Sequence, residues 1–67
     1  MTEEQYNEAL KYRHIIETFA KSGEYLGGID PLMDKYSIAD SERRCPSCVG
    51  RFLLDRNIEL KKHEGNM

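Results

Sequence analysis

Two cysteines, Cys45 and Cys48, are the residues of this 67-residue chain whose type and spacing could do chemistry. They lie in the stretch SERRCPSCVGRF, after two arginines and before an apolar run. Thiolates at this spacing can share a zinc ion, and a thiol at a helix N-terminus can become reactive because its pKa falls. The sequence favours a third, structural interpretation, in which Cys45 is a weak helix cap and Cys48 is a small buried residue.

A zinc site closed within one chain is not expected. Structural zinc needs four ligands, and only His14 and His63 could supply imidazoles. A helix from Cys48 to His63 would span about 22 Å at 1.5 Å per residue. His14 is expected to face solvent, opposite the apolar face of its own helix.

Two copies of the chain would supply four thiolates, which is a complete zinc shell. The segment CPSC is similar to the Cys-Pro-x-Cys zinc hook of the coiled-coil DNA-repair ATPases, in which two such loops clamp one zinc ion. The resemblance extends over Cys45, Pro46 and Cys48 only. It implies a zinc ion shared by two chains as one use of the pair.

The segment CPSC also resembles the active-site pattern of the glutaredoxins, Cys-Pro-x-Cys. That resemblance implies Cys45 as the attacking thiolate and Cys48 as the resolving thiol, and the neighbouring Arg43 and Arg44 would favour the thiolate. In the glutaredoxins, however, the motif follows a β-strand, and this chain shows no strand pattern.

The first element that must support these residues is a long amphipathic helix over residues 3–21. Thr2 and Gln5 have the spacing of a capping box, which predicts the start of the helix. Gly23 has the position of a residue that ends a helix in the left-handed conformation. The following Tyr25 and Leu26 are expected to pack back over this helix.

Two further helices are predicted, a short one over residues 31–36 and a long one over residues 46–62. Each begins with a proline, at Pro31 and Pro46, where a missing N–H does no harm. The segment between them predicts a loop or a single turn, and the last five residues should fray. The fold class is therefore all-α, with three helices in one small domain.

The last helix has one clear apolar face, spaced i, i+3, i+4 and i+7. Arg56 falls within this face, where an arginine usually lays its stem along the core and reaches a surface carboxylate. The apolar members of the face are Val49, Phe52, Leu53 and Leu60.

Leu54 and Ile58 lie on the last helix but well away from its apolar face. The contacts that bury Phe52 and Leu60 cannot also bury these two residues, unless the helix is covered on two sides. In a chain this small the second covering surface most naturally comes from another molecule. The pattern therefore predicts a homodimer.

Composition narrows the classes of function. The formal net charge of −2 argues against a general binder of nucleic acids or membrane surfaces. The acidic, polar start differs from a signal peptide, and no run approaches the roughly 18 apolar residues of a membrane span. These features predict a cytoplasmic protein with reduced thiols and no membrane partner.

The sequence as a whole predicts a non-enzymatic helical interaction or regulatory protein that binds another macromolecule, as a homodimer or with an unidentified protein partner. No cofactor is expected. The alternative is a zinc-binding module that uses Cys45 and Cys48 and contacts nucleic acid through Arg43, Arg44 and Arg51. A thiol redox protein is the third interpretation.

Overall fold

The computed structural model describes residues 2–65, and this range contains helices and no strand. The all-α prediction is therefore confirmed. The chain order of the helices is α1 (Glu3–Lys11), α2 (Arg13–Ser22), α3 (Asp30–Lys35), α4 (Asp40–Arg43) and α5 (Pro46–Gly65).

The predicted helix over residues 3–21 is two helices, because the backbone breaks at Tyr12. This residue has φ −115° and ψ 20°, and its N–H donates to the carbonyl of Ala9 at 3.0 Å. The break lets the two segments pack on different partners, since α1 contacts mainly α3 while α2 contacts mainly α5. The predicted start is confirmed, with both hydrogen bonds of the Thr2–Gln5 capping box present.

The connection between α2 and α3 begins at Gly23, whose φ of 79° ends α2 as predicted. Gly27 and Gly28 also have positive φ, so the chain turns sharply before α3. This turn places Ile29 in the core, where it is fully buried. Tyr25 and Leu26, predicted to pack back over the first helix, are both exposed, although Tyr25 lines a cleft together with Phe19 of α2.

The short third helix begins one residue earlier than predicted, at Asp30, and ends at Lys35. Leu32 and Met33 are its buried residues. The following segment, predicted as a loop or single turn, forms the one-turn helix α4. Ile38 packs against the core between the two helices.

Helix α5 begins at Pro46 as predicted and is continuous to Gly65, three residues beyond the predicted end. The predicted fraying is wrong for residues 63–65, because α1 and α2 hold this end. The ring of Tyr6 stacks on His63 with centroids 4.1 Å apart. The carboxylate of Glu64 accepts from the Tyr6 hydroxyl at 3.0 Å and also from Arg13. Residues 66 and 67, also predicted to fray, lie outside the described residues.

The core lies between α5 and the other helices. Its buried apolar side chains are Ala9, Ile15, Ile16, Ile29, Leu32, Met33, Val49, Phe52, Leu53 and Leu60. Four of these confirm the predicted apolar face of α5. Within residues 2–65, no helix combines the length and the apolar character that a membrane crossing requires. The cytoplasmic location stays a prediction.

Candidate functional site

The cysteine pair lies at the beginning of α5, on its first turn. The carbonyl of Cys45 accepts the first helical hydrogen bond, from the N–H of Val49 at 3.0 Å. The N–H of Cys48 donates to the Sγ of Cys45 at 3.2 Å. Cys45 therefore caps the helix through its sulfur, as the structural interpretation of the sequence expects.

Cys48 is exposed, whereas Cys45 is partly buried. The structural interpretation expects Cys48 to be a small buried residue, and this part is wrong. The buried face of α5 begins at Val49, and Cys48 lies beside it on the solvent side. Both cysteines are free thiols.

The two thiols have different acidities. Hydrogen bonds from the Cys48 thiol and then from the Cys48 backbone N–H lower the pKa of Cys45. The hydrogen bond to Cys45, followed by loss of hydration, raises the pKa of Cys48. Of the two thiols, Cys45 is therefore the one that ionises more readily.

Neither histidine lies near the thiols. His14 is exposed, as predicted, and His63 stacks on Tyr6 near the other end of α5. Because α5 is continuous between Cys48 and His63, the predicted separation of about 22 Å is confirmed. Across residues 2–65, no three side chains of the histidine, cysteine and acidic types converge as a metal site would require.

A groove of about 460 Å³ opens beside Cys48. Its wall is formed by Phe52 and Arg56 of α5 together with Ile38, and polar side chains lie along its edge. The polar lining residues are Glu42, Ser47, Arg51 and Asp55. The groove therefore combines an apolar wall with charged residues of both signs.

Arg56 contacts both aromatic rings and a carboxylate at this groove. Its guanidinium lies 4.2 Å from the ring centroid of Tyr36 and 4.6 Å from that of Phe52. The same group donates to Glu59 at 2.9 Å, which confirms the predicted surface carboxylate. The hydroxyl of Tyr36 donates to the same oxygen of Glu59 at 3.1 Å. The sequence analysis did not identify Tyr36 and Glu59 as the partners of Arg56. Their aromatic and acidic side chains are of the types that pair with arginine, but their positions relative to Arg56 depend on tertiary packing.

Burial is the main reason that the pKa of Tyr36 is raised to about 12. The positive charge of Arg56 opposes this increase, while the negative charge of Glu59 and its hydrogen bond add to it. The neutral phenol is therefore the form that this site stabilises.

The three predicted interaction arginines are not brought together. Arg43 donates to the carbonyl of Ile38 at 3.0 Å and to Asp34 at 2.7 Å, and it links α4 to α3. Arg44 is exposed and, together with Arg43, lines a cleft of about 200 Å³ that is separate from the groove beside Cys48. Arg51 is exposed and lines the groove beside Cys48.

Leu54 and Ile58 are exposed on α5, as their distance from the apolar face predicts. Leu54 is 45% exposed and Ile58 is 50% exposed. They are i and i+4 neighbours and therefore form a continuous apolar ridge on the helix surface. The ridge lies on the same helix as the groove and next to its lining residue Asp55.

Comparison of the chain with protein-family models, with curated proteins and with solved structures gives no match.

Proposed function

We propose that this chain is a small helical interaction protein that pairs with a second copy of itself through the solvent-facing side of α5. The observation that carries the proposal is the apolar ridge of Leu54 and Ile58, about half exposed and next to an open groove. A two-fold interface places the same surface on both partners. A ridge beside a groove suits such an interface, since each ridge can enter the groove of the other copy.

Burial of the ridge alone gives too little free energy to hold a dimer together. Complete burial of a leucine or isoleucine side chain contributes about 1.5–3 kcal/mol, so the exposed halves of Leu54 and Ile58 contribute about 1 kcal/mol each. Two copies together give about 4 kcal/mol from four side chains. Association itself costs roughly 4–15 kcal/mol. Packing of two ridges alone would therefore not hold the pair.

The groove can supply the remaining energy. Arg56 lies against the rings of Tyr36 and Phe52, so an entering aliphatic side chain would meet a surface that is already ordered. Little side-chain entropy would then be lost on binding. Aromatic and arginine side chains are also the types that most often carry the binding energy of interfaces. Arg51 and Asp55 at the edge provide charges of both signs for cross-pairing.

The proposal is tested by measuring the molar mass in solution by size-exclusion chromatography with light scattering, from about 10 μM to about 1 mM. The wild-type mass should rise from one chain to two over this range. The variant Leu54→Asn with Ile58→Asn should remain a monomer. Leu26→Asn is the matched control, because Leu26 is 51% exposed but lies outside α5, and it should still dimerise.

Circular dichroism should show unchanged helix content in all three proteins, because the replaced side chains are exposed. A wild-type protein that is monomeric at the highest concentration would overturn the proposal. So would a double variant that dimerises as readily as the wild type.

A further inference from the structure

The cysteine pair has a geometry that the proposed pairing through α5 does not use. Cys45 and Cys48 are three residues apart on the first turn of a helix, where the Cα atoms are about 5 Å apart. A disulfide requires a Cα separation of about 4.4–6.8 Å. The turn that carries them is closed by the hydrogen bond from the Cys48 N–H to the Cys45 Sγ at 3.2 Å, so the Cys45 sulfur lies against the residue that carries the second thiol. A disulfide can therefore form with little movement of the backbone.

The two thiols also differ in the way that thiol–disulfide exchange needs. The sulfur of Cys45 receives hydrogen bonds that lower its pKa, while the pKa of Cys48 is raised. The thiolate is the nucleophile in exchange. Cys45 is therefore the thiol that attacks the substrate first, and Cys48 is the resolving thiol.

Solvent reaches the pair from the side of Cys48, since Cys45 is partly buried. Cys48 is exposed and lines the groove of about 460 Å³, together with Ser47 and Arg51. A small or peptide disulfide could therefore lie against the helix start with its sulfurs close to the pair. The pair needs no residue from another chain to complete it, in contrast to a zinc site, for which residues 2–65 offer no third ligand.

The geometry points to a thiol–disulfide exchange site at Cys45 and Cys48, which takes a low-molecular-weight or peptide disulfide as its substrate. The Cys45 thiolate attacks one sulfur of the substrate, its S–S bond breaks, and one substrate thiolate leaves and takes up a proton. Cys48 then loses its proton and attacks the Sγ of Cys45, which releases the second substrate thiol. The substrate disulfide is reduced by two electrons to two thiols, and the cysteine pair is oxidised to a disulfide.

Glutathione disulfide is the probe for this step, used with the reduced full chain at about 5 μM, where a weak dimer dissociates. The reaction is quenched with acid, and the mass of the intact chain is measured by mass spectrometry. The wild-type chain should lose two hydrogens and carry no lasting adduct. Cys48→Ser should accumulate one glutathione on Cys45, because the resolving thiol is missing. Cys45→Ser should form an adduct about tenfold more slowly at pH 7.

Serine is the matched replacement at both positions: at Cys45 it is a good helix cap, and at the exposed Cys48 it replaces the thiol by a hydroxyl. Circular dichroism on both variants checks the fold. Equal rates for the two single variants, or a wild-type chain that collects two glutathiones without an internal disulfide, would overturn the inference. Native mass spectrometry showing one zinc per two chains, with exchange blocked until a chelator is added, would overturn it in favour of a shared zinc ion. A monomeric wild type would leave this inference intact and overturn only the proposed pairing.

Discussion

Gly50 should be the most informative single position for the packing of the molecule. It lies in α5, is buried, and faces the ring of Phe19 from α2. A Cβ added at Gly50 would lie 2.9 Å from the Cζ of Phe19. Because a carbon–carbon contact is optimal at about 3.5–4.0 Å, the ring must move to admit an alanine.

Two opposing effects set the result of Gly50→Ala. Alanine gains about 0.5–1 kcal/mol over glycine inside a helix. Overpacking costs about 1–3 kcal/mol, and here the ring of Phe19 must shift toward the cleft of about 200 Å³ that it lines with Gly50. We expect the packing cost to exceed the gain, with a net loss of about 1 kcal/mol and a Tm lower by about 4–8 °C for a domain of this size.

The background Phe19→Leu reverses the sign, because leucine has no atom at the position of the ring tip. There Gly50→Ala should stabilise the protein by about 0.5–1 kcal/mol. The coupling between the two sites is then about 2 kcal/mol.

Urea unfolding followed by circular dichroism suits this double-mutant cycle, since the chain has no tryptophan. The packing of α2 on α5 would be refuted if the stability changes of Gly50→Ala and Phe19→Leu summed to that of the double variant within about 0.5 kcal/mol. A Gly50→Ala variant more stable than the wild type would also refute it.

Three further predictions concern stability and titration. Because folding raises the pKa of Tyr36 from 10.0 to about 12, the neutral phenol contributes fully to stability at pH values below 10, and this contribution is lost as the pH rises through about 12. A titration followed by tyrosinate absorbance should show a late phase, and Tyr36→Phe should remove it. Arg43→Met should lower the urea midpoint, and by more than Asp34→Asn, because it also leaves the carbonyl of Ile38 without its donor; equal losses would contradict this. Thr2→Ala should cost about 1 kcal/mol through the lost cap, and no change in the urea midpoint would contradict that role.

Much of the fold could be predicted because the signals were local. The capping box at Thr2 and Gln5, the left-handed Gly23 and the proline at the start of α5 each act within one turn of chain. The apolar face of α5 follows from the helical period. These features need no knowledge of which helix packs on which.

The missed features depend on tertiary packing. Tyr12 is not a helix breaker, and the chain breaks there because α1 and α2 pack on different neighbours. Ile29 is buried because the glycines before it turn the chain inward. The end of α5 is held by Tyr6 and Arg13, which are more than 50 residues away in sequence. No local pattern reports such contacts.

At the candidate site, too, the features set by local sequence were predicted and those set by tertiary packing were missed. The position of Arg56 within the apolar face predicted its buried stem and its carboxylate partner. The ring of Tyr36 that lies against its guanidinium comes from beyond α3, 20 residues earlier, and could not be placed. Cys45 was correctly interpreted as a cap, whereas Cys48 was not, because one helical position separates the buried Val49 from the exposed thiol.

The most direct test of the pairing through α5 is an isotope-filtered NMR experiment on an equal mixture of labelled and unlabelled chains, which detects contacts between copies only. Methyl groups of Leu54 and Ile58 should show intermolecular contacts to the side chains of Ile38 and Arg56, which line the groove. Intermolecular contacts confined to other surfaces, or none at a concentration where light scattering reports a dimer, would contradict the account.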